Sequence, residues 1–183
     1  MSTVTALLSS PDSIGVWNLA PARSTVAFKN KTMWGLMNVK GRFAEVRGDG
    51  QVTDAGAVSG RLDITAASLN TGIGKRDEHL RSQDFFDVDK FPEISVFVTA
   101  ANPADGDTVD LRADLNIKGT SYPLPLRATV AVLDDGAVRV SVQTNLDRAQ
   151  FGVSGDLLGM VGGTTALVVD AVFQHTGGGL PRL

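Results

Sequence analysis

The residues richest in chemistry sit in one stretch, Arg76-Asp77-Glu78-His79-Leu80-Arg81. His79 has the right type for a general base, and Asp77 the right type to orient it. Such a pair needs a nucleophile or a bound substrate beside it, and no motif places one. The chain has no Gly-x-Ser-x-Gly elbow and no phosphate loop, and Gly72-x-Gly74 lies outside the strand–turn–helix setting that phosphate binding requires. The structural reading weighs more: Arg76 and Asp77 bond backbone groups and neighbouring charges, and so fix an irregular crossing. A place at a ligand mouth is the third reading. Asp84, Asp87 and Asp89 follow at spacings reminiscent of a calcium loop, but the Gly and the closing Glu of such a loop are missing. Capping and surface roles fit them better. With no Cys and only two histidines, His79 and His175, a multi-His metal centre, a zinc finger, thiol redox chemistry and a disulfide scaffold are excluded. No cofactor or metal is expected.

A second group is apolar. Phe28, Met33, Trp34, Leu36, Met37, Phe43, Phe85, Phe86, Phe97, Phe151, Leu157, Leu158, Met160 and Val161 lie in or beside irregular segments. They read either as barrel plug and core or as the lining for an elongated apolar ligand. An eight-stranded barrel is just wide enough to fill itself with side chains or to hold one small guest, and flexible Met suits a wall that follows a pliable chain.

The elements that position these residues are strands. Leu111, Ala113, Leu115 and Ile117 alternate with Arg112, Asp114, Asn116 and Lys118. Val138, Val140 and Val142 alternate with Arg139, Ser141 and Gln143, and Leu62 and Ile64 with Arg61, Asp63 and Thr65. Leu124 and Leu126 lead into Ala128, Val130 and Val132 at the same period. A period of two marks half-buried antiparallel strands. Asp49-Gly50, Asp105-Gly106 and Asp135-Gly136 suit hairpin turns. The pattern predicts about eight or nine strands between Val16 and Thr176, arranged as a sandwich or a closed barrel. The polar run from Gly74 to Asp84 interrupts it as a short helix or ordered loop, placed after the fourth strand; Pro92 halts regular structure before Ile94-Ser95-Val96-Phe97-Val98 resumes.

The chain has 183 residues, 43% of them hydrophobic and 20% charged, with a net charge of −3. That fits one domain with a full core and excludes disorder. A near-neutral balance with no basic stripe argues against nucleic acid. The apolar run Val4–Leu8 falls far short of the ~20 residues of a membrane span, and no basic residue precedes it as in a secretory leader. The chain therefore reads as soluble and cytoplasmic. Residues 1–13 and 177–183 read as flexible tails around a domain spanning 14–176.

The run from Ser68 to Pro92, SLNTGIGKRDEHLRSQDFFDVDKFP, closely resembles the signature of the YceI-like family, roughly S-x-x-T-G-x-x-x-R-D-x-H-L-R-S-x-D-F-F-D-V-x-x-[YF]-P. Flanking segments agree. Ser24-Thr25-Val26-Ala27-Phe28 resembles the family's first long strand, and Val39-Lys40-Gly41-Arg42-Phe43 its V-x-G-x-F. Leu115-Asn116-Ile117-Lys118-Gly119-Thr120-Ser121 is similar to L-T-[IL]-x-G-V-T, and Asp147-Arg148-Ala149-Gln150-Phe151-Gly152 to [ND]-R-x-x-F-G. The likeness runs from Val16 to Phe173. It implies a lipocalin-like, all-β fold, an extended antiparallel barrel of eight strands. It implies a non-enzymatic role in binding, storing or transporting a long amphiphile in the tunnel: a polyisoprenoid, an isoprenoid quinone or a fatty-acid derivative. The expected lining is Phe28, Met33, Trp34, Met37, Phe43, Phe85, Phe86, Phe97, Phe151, Leu158 and Met160. Arg76, His79 and Arg81 would fix the loop or meet a head group. The alternative is an enzyme acting on a lipophilic substrate through His79 and Asp77. The chain departs from the family at Ala20-Pro21-Ala22-Arg23-Ser24, where D-x-x-H-S is frequent; Asn30-Lys31 stands for a common K-H, and Lys118 for a common His. Small barrels often pair, so a homodimer is compatible with the sequence.

Overall fold

In the computed structural model, residues 2–31, 38–147 and 164–176 are described. They contain twelve strand segments in one antiparallel sheet. Segments β1 (Gly15–Leu19), β2 (Thr25–Lys31), β3 (Asn38–Phe43), β4 (Val46–Val52), β5 (Val58–Thr65) and β6 (Leu69–Asn70) precede the helical stretch. Segments β7 (Glu93–Pro103), β8 (Thr108–Ile117), β9 (Thr120–Pro123), β10 (Leu126–Val132), β11 (Val138–Asp147) and β12 (Thr164–His175) follow it. The order β1-β4-β5-β7-β8-β10-β11-β12 closes on itself, because β12 also pairs with β1 through Trp17↔His175, Asn18↔Gln174 and Leu19↔Phe173. The result is a closed antiparallel barrel of eight strands.

Twelve segments make eight strands because four strands are broken: β9 and β10, both paired with β8, are parted at Leu124 and Pro125, and three neighbouring strands are broken as well. β1 and β2 pair with one partner, β12, but five residues, 20–24, face only Ala171 and Val172 across the break. β3 and β4 are parted at Ala44 and Glu45, and β5 and β6 by a short 3-10 turn at Ala66–Ser68. Serines satisfy the freed backbone. Val172 N donates to Ser24 Oγ at 3.0 Å, and Glu45 N to Ser68 Oγ at 3.1 Å. Backbone bonds complete the crossing, with Ala44 N to Ser68 O at 3.1 Å and Thr65 N to Glu45 O at 3.0 Å.

Alternation decides which side chains look inward. On β8, Val109, Ala113, Leu115 and Ile117 are buried; on β10, Ala128 and Val130; on β11, Val138 and Val142. Two of the three expected turns form. Gly106 (φ +62°) closes β7–β8 and Gly136 (φ +83°) closes β10–β11. Asp49-Gly50 does not turn: it lies inside β4, with Gly50 paired to Trp17 on one side and Gly60 on the other. There the missing side chain serves close strand approach. At the neighbouring Gly48, a Cβ would stand 2.6 Å from the Arg61 carbonyl oxygen. Lys118 (φ +50°) and Gly119 (φ +74°) form a turn at the end of β8 that carries no Asp-Gly signal.

Two helices frame the barrel. The stretch 2–13, read from sequence as a loose tail, instead starts with helix α1, Thr3–Ser9. Ser2 caps it, accepting from Thr5 N at 3.1 Å, and Val4 is buried against the barrel with 3% exposure. Burial of Val4, Leu7 and Leu8 among the strand residues overrides the weak local pattern. The second helix, α2 (Gly74–Arg81), lies between the third and fourth barrel strands, one strand earlier than the sequence count places it. Residues 177–183 lie outside the described residues.

On the outer wall, Asp63 is buried to 7% exposure. It accepts from Ser95 Oγ at 2.6 Å and from Arg61 Nε at 2.8 Å, and Arg47 pairs with Glu93 beside it. Burial pushes the Asp63 carboxyl up, but the hydrogen bonds from Ser95 and Arg61 and the nearby guanidinium charges hold it below the usual carboxylate range. A depressed folded-state value means the unfolded chain binds the proton more readily. The contribution to stability is therefore full above about pH 4 and is lost as the pH falls through the lower folded value. Asp63→Asn should cost about 1–3 kcal/mol at pH 7, and the gap to the parent protein should close towards pH 2. Urea unfolding at pH 7, 4 and 2 checks this; a gap constant with pH would show that the charge on Asp63 is irrelevant.

Candidate functional site

The inward faces of the strands do not fill the barrel. They surround a cavity of about 350 Å³ whose walls are mainly Val, Leu, Ile and Phe. Under α1 it is bounded by Val4, Leu7, Leu8 and Trp17; its middle by Val96, Leu111, Leu115, Val140 and Val169; its other end by Phe28, Phe43, Leu80, Phe85 and Phe86. The Trp17 indole N–H donates to Ser13 O at 2.9 Å, so the ring offers the cavity only carbon. Phe28, Phe43 and Phe86 form a chain of ring contacts, with centroids 5.4 Å and 6.0 Å apart. Gly41 lies opposite Phe28, and a Cβ there would meet the ring at 2.4 Å. The glycine of V-x-G-x-F thus makes room for an inward phenyl group.

Of the expected lining, Phe28, Phe43, Phe85 and Phe86 stand on the cavity wall. Phe97 does not. It lies between inward-facing Val96 and Val98 and therefore points outward, where the Arg61 guanidinium sits 4.9 Å from its ring centroid. Met33, Trp34, Met37, Phe151, Leu158 and Met160 lie outside the described residues, as do Leu36, Leu157 and Val161.

The polar signature next to the cavity forms a network centred on Thr71. Its backbone N–H and hydroxyl donate to Asp77 Oδ1 at 3.0 Å and 2.5 Å, while Arg76 donates to the Thr71 hydroxyl at 2.8 Å and to its carbonyl at 2.9 Å. Arg81 reaches further back, donating to Ala67 O at 3.0 Å and Leu69 O at 2.9 Å. Arg76 and Arg81 therefore bind the 66–71 crossing to α2, and Arg76 also touches the cavity. His79 lies 3.3 Å from Asp84 Oδ2, its ring edge-on to Phe85 at 5.1 Å. Asp77 turns to Thr71 and His79 to Asp84, so the two do not meet as an acid–base couple, and neither is on the cavity wall. Among the described residues, no cluster of three or more His, Cys, Asp or Glu is arranged to hold a metal ion.

Sequence reading missed the α1 end of the wall, with Val4, Leu7, Leu8 and Trp17, and two polar wall residues, Asn30 and Thr165, which pair across β2 and β12. The signal was parity: Asn30 follows Val26 and Phe28 on the inward side of β2.

Strands and cavity together define a closed antiparallel β-barrel with an apolar interior. The chain belongs to the YceI-like family, whose domain matches residues 17–173. Among relatives, a UPF0312 protein of Pseudomonas syringae pv. syringae is 37% identical over 68 residues, which cover 37% of this chain and 35% of that protein. Protein YceI of Escherichia coli O157:H7 is 36% identical over 67 residues, again 37% and 35% of the two chains. The matched stretch thus spans about a third of these curated relatives' length. Among solved structures, BcnA of Burkholderia cenocepacia superposes with a TM-score of 0.75 at 20% identity, covering 84% of this chain and 98% of its own. A polyisoprenoid binding domain from Saccharophagus degradans, implicated in plant cell wall breakdown, gives 0.72 at 18% identity, covering 86% and 97%. At these identities the likeness is one of fold.

Thr71 offers the sharpest test of the loop. Thr71→Val removes the hydroxyl donor from buried Asp77 and the acceptor from Arg76, and should cost about 1–3 kcal/mol. Thr71→Ser, which keeps the hydroxyl, should cost well under half as much. A negligible loss for Thr71→Val in urea unfolding would show that these hydrogen bonds do not hold the loop.

Proposed function

We propose that this barrel binds a long apolar amphiphile and stores or carries it without transforming it. The guest class is a polyisoprenoid, an isoprenoid quinone or a fatty-acid derivative. The observation that carries the reading is the cavity, bounded by carbon from the Val4 end to the Phe86 end. Water in such a space finds few partners, whereas each methylene taken from water into it contributes about 0.8 kcal/mol. Ordering the guest and losing its translational freedom offset much of that sum. The polyisoprenoid-binding domain of similar fold supports the same guest class. The enzymatic alternative needs His79 and Asp77 to act together on a guest, and the bonds each makes leave it without support.

The test is direct. Protein purified without added lipid, extracted into organic solvent, should release a long-chain species in near-stoichiometric amount by mass spectrometry. Extracted protein should then bind cis-parinaric acid, with energy transfer from tryptophan. If no lipid co-purifies and the probe does not bind, the carrier reading fails.

A further inference from the structure

The cavity wall is apolar except at a few places. Asp49, Gln51, Ser59 and Arg61 border it only beside Gly50 and Gly60; their own side chains are exposed on the outer face. Ser13 lies at the α1 end, under Trp17. That leaves Asn30 and Thr165, adjacent on β2 and β12, and Arg76. Asn30 is only 6% exposed. Its strand parity, shared with Val26 and Phe28, aims the carboxamide into the cavity. Among the described residues, neither this carboxamide nor the Thr165 hydroxyl takes a side-chain hydrogen bond. Among the described residues no sealed side-chain nitrogen or oxygen lacks a partner, so the Asn30 carboxamide keeps contact with the cavity space and is placed to bond whatever fills it.

The geometry points to a hydrogen-bonding subsite, formed by Asn30 and Thr165, for an uncharged oxygen-bearing head group such as a quinone carbonyl, an ester or an alcohol. The inference rests on the lipid-binding reading and narrows it. An amide and a hydroxyl can each donate to a carbonyl or accept from a hydroxyl, but neither brings charge. The cations near the wall are already engaged: Arg76 holds Thr71 with two bonds, and Arg61 faces outward to Asp63. A phosphorylated head would enter this apolar space with no free cation on the described part of its wall to meet it, and an unpaired buried charge costs far more than an unpaired dipole. The subsite thus selects neutral amphiphiles against their phosphates.

Displacement of diphenylhexatriene, a hydrocarbon probe with no polar atom, separates this inference from the reading beneath it. The competitors are decylbenzoquinone, decylbenzene, farnesol and farnesyl phosphate. Asn30→Leu keeps the side-chain volume and should weaken decylbenzoquinone about five- to tenfold, while decylbenzene stays within about twofold; Thr165→Val should act in the same direction. Farnesol should bind at least about tenfold tighter than farnesyl phosphate. If quinone affinity survives Asn30→Leu and Thr165→Val, or farnesyl phosphate matches farnesol, the subsite is refuted while the hydrocarbon probe still binds. If diphenylhexatriene and decylbenzene do not bind the parent protein, the lipid-binding reading fails and takes the subsite with it.

Discussion

The structure depends on one closure, the pairing of β12 with β1. Trp17, Asn18 and Leu19 meet His175, Gln174 and Phe173, and the sheet loses its two free edges. An open sheet of this length would expose a row of unpaired amides and carbonyls on each side. Once the ring is shut, pleat alone assigns every residue to an inside or an outside. His175 reinforces the join, stacking on Trp17 at 4.8 Å and donating from Nε2 to the Ile14 carbonyl at 2.9 Å. The apolar interior is a product of that closure and not of a separate core.

Polar residues are divided by the same rule. The signature that draws the eye in the sequence, with Thr71, Arg76, Asp77 and Arg81, spends its hydrogen bonds on holding the 66–71 crossing to α2. Its long match to the YceI-like pattern therefore reports architecture. The polar groups on the cavity wall itself are at less conspicuous positions on the strands, where Asn30 and Thr165 stand among valines and phenylalanines.

Strand parity was the most legible feature of the sequence. The alternation in 111–117, 138–142 and 124–132 corresponds to the inward and outward faces of β8, β11 and β10, because a closed wall leaves one face dry along most of its length. Phe97 was misplaced for want of that rule: in Ile94-Ser95-Val96-Phe97-Val98 both parities carry apolar groups, and only pairing with β5 and β8 decides which side is in. Asp49-Gly50 has the composition of a turn but not its place, since both residues are paired inside β4, Gly50 with Trp17 and Gly60. Helix α1 was illegible because seven residues have little helical stability of their own; it exists where Val4 finds the barrel end. Asn30 was passed over because a lone polar residue in a strand looks unremarkable until its parity is known.

The interruptions at 20–24 and 66–68 have a geometric outcome. Extra residues on one strand against a shorter partner stretch bend the wall, and here the surplus falls on the two strands that flank β3 and β4. Each break frees backbone groups, and Ser24 and Ser68 take them up by accepting from Val172 N and Glu45 N. The breaks are thus mended within the wall, by hydroxyl groups that the fold itself employs.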